Sequence, residues 1–221
     1  LKKSIGRISI SMTGLSNRRS VMTLYADASD PLGHSVRLVL REKDINSNVV
    51  LVPDGTRPEI LNDFNPYDTT LTLVDRDLVL YDSHTILEYL DERYPHPPLM
   101  PVDPVARANN RQFRYRIVRD LYKFARDIIG ENEVAAATAR KAMRDDLMAI
   151  CPLFLQHAYF MSDDFSLVDI CLAPILWRLP SYGIKLGPPG KSLLNYADVI
   201  FSRNAFQESL AETDKIFRDE P

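Results

Sequence analysis

Two different spacings of apolar residues divide the chain near residue 95. Before this point, short apolar runs with strand composition alternate with segments whose apolar residues recur every three or four positions, the spacing of one helix face. After it, the helical spacing dominates. The first part therefore predicts strands at 21–25, 48–52, 71–75 and 78–81, and helices at 36–43, 58–64 and 82–90.

The order of these elements predicts the sheet. A strand, helix, strand start makes the first two strands parallel, because the crossover returns the chain in the same direction. Arg76–Asp77 is a two-residue turn signal between the last two strands, which makes that pair antiparallel. The predicted fold class is α/β plus all-α: a thioredoxin-like unit with a mixed four-stranded sheet, followed by a helical bundle.

Five prolines within ten residues separate the two parts. The run Pro95-His-Pro-Pro-Leu-Met-Pro-Val-Asp-Pro fixes the backbone repeatedly and removes amide donors, so no helix or inner strand continues through it. We predict a basic, disordered extension at 1–20, a thioredoxin-like unit at 21–98, a proline-rich linker at 99–104 and a helical unit at 105–221. The predicted helices of the last unit are 105–129, 138–156, 167–179, 193–201 and 206–217.

Charge is unremarkable for the whole chain and uneven along it. The 221 residues include 27 basic and 30 acidic side chains, a formal net charge of −3 that gives no sign of a nucleic-acid or membrane partner. Residues 1–21 hold five basic and no acidic side chains, 22–98 hold six and fourteen, and 99–221 hold sixteen of each. We expect no direct sequence-specific DNA binding and no membrane span.

Cysteine and histidine form no metal or disulfide pattern. Cys151 and Cys171 have no C-x-x-C spacing, which favours a reducing, cytoplasmic compartment and burial as small apolar side chains. The four histidines lie far apart with no ligand spacing around them. We expect no metal and no cofactor.

Several short motifs stand where a known family has them. Asn65–Pro66 precedes the third strand, Leu73–Asp75 lies within it, Asp82–Ser83 follows the fourth strand, and Ser166–Asp169 opens an apolar helix as a capping box. This set, at this spacing, resembles the glutathione S-transferase fold.

A closer resemblance covers about residues 19–218. Segments 34–40, 89–102, 104–107 and 165–180 resemble the stringent starvation protein A family of proteobacteria, which shares this fold. The resemblance implies a homodimer in the bacterial cytoplasm that associates with RNA polymerase holoenzyme, including the primary sigma factor.

Thiol chemistry would need a hydroxyl or thiol donor at the end of the first strand. Where members of the fold place this donor directly before a proline, the chain has Asp30, and an ionised carboxylate only accepts hydrogen bonds and repels a thiolate. Ser29, Ser35 and Tyr25 remain as substitutes. We assign no catalytic residue, and a glutathione-dependent transferase or reductase using Ser29 or Ser35 is the alternative.

The rest of a glutathione site is partly altered. Leu71 stands where the fold has a cis-proline, and we predict a trans Thr70–Leu71 bond because a cis bond to a non-proline costs about 2.5–4 kcal/mol. Asp82 and Ser83 are the best-preserved part. They are either a vestigial glutathione-binding pair or, as we favour, a simple helix cap.

Basic residues form two stripes on the long predicted helix. Arg107, Arg111 and Arg114 share the first, a candidate basic face for nucleic acid or for an acidic patch on a protein partner, although we favour the alternative given below. The second contains Arg116, Arg119, Lys123 and Arg126. The alternative is a solvated face with intersubunit contacts.

The main functional expectation rests on the segment Tyr94, Pro95, His96, Pro97 and Pro98. Prolines make a rigid segment that loses little conformational entropy on docking, and a plain linker, the alternative, does not require a histidine between them. In the resembled family this surface is needed for action on transcription. We therefore expect a transcription regulator of the starvation and acid-stress response that acts by protein contact and not by catalysis.

Overall fold

The computed structural model describes residues 21–218, so the extension predicted at 1–20 lies outside the described residues. The strands β1 (Met22–Asp27), β2 (Ser47–Val52), β3 (Thr72–Asp75) and β4 (Leu78–Leu80) form one sheet in the order β2-β1-β3-β4. β1 pairs in parallel with β2, from Met22 opposite Ser47, and antiparallel with β3. β4 returns antiparallel to β3 through a turn in which Arg76 has a φ of 56°. The predicted mixed sheet is confirmed.

Three helices accompany the sheet: α1 (Pro31–Glu42), α2 (Leu61–Phe64) and α3 (Ser83–Arg93). Asp30 caps α1, because its carboxylate accepts the Leu32 amide at 3.0 Å and Pro31 needs no partner at the first helical position. Gly33 lets α1 lie close to β1, since a Cβ there would stand 2.7 Å from the Ala26 Cβ. α1 and α3 each run back along the sheet, so their last turns lie at the end where β1 begins.

The rest of the chain is helical. α4 (Pro104–Arg116) and α5 (Tyr122–Ile129) are joined without a break by a π-helical turn at Ile117–Leu121. There follow α6 (Glu133–Ile150), a 3₁₀ turn at Cys151–Leu155, α7 (Leu167–Trp177), a 3₁₀ turn at Pro188–Gly190, α8 (Lys191–Phe201), α9 (Asn204–Ser209) and α10 (Glu212–Ile216).

Four predicted helices differ most from the structure in their limits. α1 begins at Pro31 instead of residue 36, because the Asp30–Pro31 cap starts the helix ahead of its apolar residues. α2 begins at Leu61 instead of residue 58. α6 begins at Glu133 instead of residue 138, because Asn132 accepts hydrogen bonds from the amides of Val134 and Ala135. The helix predicted at 206–217 is two helices, since Leu210 and Ala211 are extended between α9 and α10.

α7 is the centre of the helical unit, and all eleven of its residues are buried. Its start is fixed by Asp169, whose carboxylate accepts the Ser166 amide at 2.9 Å, the Phe160 amide at 2.8 Å and the Tyr196 hydroxyl at 2.7 Å. Burial raises the pKa of Asp169. Cys151 and Cys171 are both buried and free, as expected. In residues 21–218, no helix is both long and apolar enough to cross a membrane.

A buried charged cluster joins the two units. Asp214 of α10 accepts hydrogen bonds from Arg37 of α1 at 2.5 Å and from Arg178, the residue after α7. His34 lies in the same cluster, with Nε2 2.9 Å from the Ser209 hydroxyl and Nδ1 3.2 Å from Arg178. The break between α9 and α10 brings Asp214 to these two arginines, so the unpredicted break has a packing reason.

Candidate protein-docking site

The segment Tyr94–Pro98 follows the last turn of α3 and forms an exposed loop. We call it the docking loop, because it contains the residues that we expect to contact a partner. Tyr94 is half-buried, whereas Pro95, His96, Pro97 and Pro98 are exposed. The His96–Pro97 peptide bond is cis. The structure therefore presents the three prolines and the histidine between them together, at the end of the sheet where β1 begins.

Lys43, the residue after α1, holds this loop from inside. Its side chain is fully buried, and Nζ donates to the carbonyl oxygens of Tyr94 at 2.5 Å and of Pro97 at 2.7 Å. Nζ also lies 2.8 Å from a carboxylate oxygen of Asp91 on α3. Because proline lacks an amide donor, the loop has few internal hydrogen bonds, and the buried ammonium supplies the contacts that shape it.

Asp91 completes the anchor. The same carboxylate oxygen that meets Lys43 accepts the Leu99 amide at 2.9 Å, which fixes the residue that follows the docking loop. The Leu99 carbonyl in turn accepts the Leu167 amide at 2.9 Å, at the start of α7. One buried ion pair therefore fixes both ends of the loop and ties them to the helical unit.

Sequence reasoning assigned no role to Lys43 or Asp91. Lys43 ends the helix predicted at 36–43, a position at which a lysine normally lies in solvent. The available signal was its position at the end of that helix, ahead of a proline-rich segment that needs donors for its carbonyl groups. The pairing with Asp91 depends on packing between α1 and α3 and has no local signature.

The last turn of α3 is also tied to β3. Asp75 accepts a hydrogen bond from the Tyr89 hydroxyl at 2.5 Å and lies 3.3 Å from Nε of Arg93. Partial burial and the Asp75 carboxylate raise the pKa of Tyr89 to about 12, so the phenol remains a donor. The helix that carries the docking loop is thus fixed at both α1 and β3.

The candidate thiol-activating hydroxyls are engaged in other contacts. Ser29 donates to the Asp54 carboxylate at 2.6 Å. Ser35 is buried, 2.8 Å from the Tyr122 hydroxyl, and its own hydroxyl donates to the Pro31 carbonyl at 3.2 Å. Asp30 caps α1, and burial raises its pKa. Neither serine of the enzyme alternative presents a free donor where a thiol would lie.

The two other parts of a glutathione site are the peptide bond before Leu71 and the Asp82–Ser83 pair. Within residues 21–218 the sole cis peptide bond is His96–Pro97, so Thr70–Leu71 is trans, as predicted. Asp82 caps α3: its carboxylate accepts the Thr85 amide at 2.9 Å and the Thr85 hydroxyl at 2.8 Å. Ser83 is buried at the first position of the helix. Asp82 is therefore the helix cap that we favour, and Ser83 is the first helical residue.

The candidate basic face at Arg107, Arg111 and Arg114 is exposed only in part, since Arg111 is exposed and Arg114 is buried. Arg114 is 1% exposed and binds Glu88 of α3 and, at 3.1 Å, Asn110. Arg111 pairs with the same Glu88 at 2.9 Å, and Arg107 is half-buried. The stripe packs against the first unit, because Arg111 and Arg114 both pair with Glu88 of α3. The two arginines lower the pKa of Glu88 to about 2.

The second stripe is the exposed one. Arg116, Arg119, Lys123 and Arg126 are all exposed on α4, the π-helical turn and α5. Arg119 has one carboxylate nearby, Asp120 at 3.9 Å.

Among the described residues, no three His, Cys, Asp or Glu side chains come together as a metal site.

Known proteins match this chain along nearly its whole length. The patterns of the glutathione S-transferase N-terminal and C-terminal domains match residues 24–98 and 112–204. The stringent starvation protein A homolog of Coxiella burnetii is 45% identical over 91% of this chain and 97% of that protein, and the homolog of Pasteurella multocida is 45% identical over 90% and 94%.

A solved structure supports the same fold. A glutathione S-transferase from Rhodospirillum rubrum F11 superposes with a TM-score of 0.78 at 22% identity, covering 90% of this chain and 99% of that one. From these matches, with the sheet order and the two units described above, the chain belongs to the glutathione S-transferase family and, within it, to the stringent starvation protein A proteins.

Proposed function

We propose that this protein is a regulator of the starvation and acid-stress response that acts by contact with RNA polymerase holoenzyme, including the primary sigma factor. The observation that carries the proposal is the docking loop, whose four exposed residues Pro95–Pro98 are held by the buried Lys43–Asp91 pair. The names of the stringent starvation protein A relatives support the stress-response part.

The loop has the physical properties of a docking element. Its prolines restrict the backbone before binding, and the anchor restricts it further, so little conformational entropy is lost when a partner binds. His96 adds a polar group between apolar rings, which suits a partner surface with one hydrogen-bonding group in an apolar patch.

The same proposal excludes glutathione transferase activity. It is supported by the carboxylate at the thiol-donor position, by the engaged hydroxyls of Ser29 and Ser35, and by the trans bond before Leu71. We further propose that the protein is a homodimer in the bacterial cytoplasm. Direct sequence-specific DNA binding has no part in the proposal.

The experiment combines two measurements on the purified full chain. With RNA polymerase holoenzyme on a sizing column, we expect co-elution of the parent and its loss for His96→Ala and Pro97→Ala. With reduced glutathione and a chlorinated aromatic, we expect no conjugation above the uncatalysed rate. Conjugation by the parent that disappears in Ser29→Ala or Ser35→Ala would favour the enzyme, and co-elution of both loop variants would reject the proposed site.

A further inference from the structure

A groove of about 430 Å³ lies between the last turn of α1 and the start of α9. The groove is shallow and largely open to solvent. None of the residues proposed for docking above belongs to it. Its lining consists of Arg41, Glu42, Arg203, Asn204, Ala205 and Glu208.

The guanidinium group of Arg203 is hydrogen-bonded along its edges and packed against an aromatic ring on one face. Its Nε and Nη2 donate to the two carboxylate oxygens of Glu42 at 2.7 and 2.8 Å, and its Nη1 donates to the Tyr159 hydroxyl at 3.3 Å. The Phe165 ring covers one face of the guanidinium, 4.1 Å from the ring centroid. The side chain is still 31% exposed and is among the residues that line the groove. A rigid, charge-neutralised plane of this kind is a stacking platform for an aromatic ring.

Besides the paired Glu42 and Arg203, the groove has one further charged group on each wall. Arg41 on α1 and Glu208 on α9 are exposed, and neither forms an ion pair or side-chain hydrogen bond within residues 21–218. An acidic group entering the groove is therefore attracted to the α1 wall and repelled by the α9 wall. This arrangement fixes the orientation of an asymmetric ligand.

The groove and the docking loop share the same end of α1. Arg41 and Glu42 line the groove, and Lys43, the next residue, holds the loop. A second connection runs through the Leu99 carbonyl at the end of the loop, which accepts the Leu167 amide two residues beyond Phe165. The two features therefore share the end of α1, where Glu42 and Lys43 are adjacent.

We propose that this groove is a second part of the docking surface, beside the docking loop. It takes an aromatic side chain of the protein partner, which stacks on Arg203, and an adjacent acidic residue of the partner binds Arg41. The inference rests on the proposed function, because the partner is the one that the docking loop contacts. Aromatic side chains in pockets beside a rigid apolar contact are the usual anchors of protein interfaces.

The test uses purified RNA polymerase holoenzyme as the probe. Arg41→Glu changes an exposed side chain without partners, and Arg203→Lys keeps a cation beside Glu42 but removes the stacking plane. Each is expected to weaken holoenzyme binding about tenfold. Lys141→Glu, the same charge reversal on an exposed position of α6, is the control and is expected to bind as the parent does. In addition, Asn204→p-benzoylphenylalanine is expected to crosslink to a polymerase peptide that carries an aromatic residue beside an acidic one.

Three outcomes would overturn the groove assignment. Two of them leave the proposed function valid, and the third contradicts it as well. If the parent binds holoenzyme, His96→Ala does not, and Arg41→Glu binds like the parent, the groove is no docking pocket and the proposed function survives. Absence of a crosslink at position 204 under those conditions has the same meaning. If the parent itself does not bind holoenzyme, the proposed function fails, and the groove inference fails with it.

Discussion

At the scale of single residues, the shape of the docking loop depends on Lys43. Its buried ammonium contacts two loop carbonyls and one carboxylate. A buried charge pair is costly to break, because the remaining partner stays buried and unpaired. The loop therefore depends on an interaction that single-residue substitution can remove without touching the exposed surface.

Lys43→Met is expected to lower the free energy of unfolding by about 3 kcal/mol, because Asp91 is left buried without its cation. Urea unfolding followed by circular dichroism measures this change. Lys141→Met, at an exposed position, is the control and should change stability by less than about 0.5 kcal/mol.

The double variant Lys43→Met with Asp91→Leu separates stability from docking. Removing both charges is expected to restore most of the lost stability, because no buried charge remains unpaired. The Tyr94 and Pro97 carbonyls still lack their donor, so holoenzyme binding should stay weak. Parent-like binding by this variant would show that the anchor does not shape the loop.

His34 gives a pH dependence with a definite sign. Burial first, and then the cations of Arg178 and Arg37, hold the pKa of His34 well below its ordinary value of 6.5. Below pH 6.5 the unfolded chain binds a proton that the folded protein does not, so this group lowers the free energy of unfolding by up to about 1.4 kcal/mol per pH unit. Above pH 6.5 it has no effect.

The measurement compares urea unfolding of the parent and of His34→Gln at pH 7.5, 6.5 and 5.5. The glutamine variant lacks the titrating group, so the stability of the parent relative to the variant should fall between pH 6.5 and 5.5 and be level above. Parallel stability curves for the two proteins would contradict the assignment of a neutral, buried imidazole.

At the scale of elements, the contact between α3 and α4 depends on one carboxylate with two unequal partners. Glu88 binds Arg114, whose side chain is 1% exposed, and Arg111, whose side chain is 47% exposed. Its lowered pKa means that the stabilisation is complete above about pH 4.5 and is lost as the pH falls toward 2.

Glu88→Gln is expected to destabilise the protein by about 3 kcal/mol at pH 7, because Arg114 is left buried without an anion. Arg111→Ala should cost only about 0.5 kcal/mol, since an exposed ion pair is screened by water. Urea unfolding of both variants tests the contrast. Equal losses in the two variants would mean that the buried and exposed arginines contribute alike.

The elements also show how far the sequence determines the fold. The turn at Arg76–Asp77 and the capping box at Ser166–Asp169 are local signals, and both are confirmed. The start of α1 at Asp30–Pro31 is also local, but the spacing of apolar residues predicts this helix only from residue 36. The break between α9 and α10 could not be predicted, because it serves the contact of Asp214 with Arg37 and Arg178, which are distant in sequence.

The candidate site was predictable on its exposed side only. Proline and histidine identify residues 94–98 by composition, whereas the buried Lys43–Asp91 pair follows from helix packing. The basic stripes show the same limit. Helical spacing groups Arg107, Arg111 and Arg114 on one face, but it does not show that Glu88 of α3 binds Arg111 and Arg114 and that Arg114 is buried. The stripe that begins at Arg116 is exposed throughout.

At the scale of the whole molecule, charge and connectivity favour contact with a protein. The part from residue 22 to 98 has six basic and fourteen acidic side chains, while the helical part is balanced. The first unit and the helical unit are joined by the buried cluster of Asp214, Arg37 and Arg178. The docking loop therefore projects from two units that are packed together. A rigid body with one preformed loop suits a protein surface better than a nucleic-acid groove.

The affinity for purified RNA polymerase holoenzyme, measured for the parent, His96→Ala and His157→Ala, tests the central claim most directly. His157 is an exposed histidine between the 3₁₀ turn at 151–155 and α7 that pairs with Asp163, and it serves as the matched control. We predict that His96→Ala weakens binding at least about tenfold and that His157→Ala binds like the parent. Equal affinities for all three proteins, or no binding by the parent, would contradict the account.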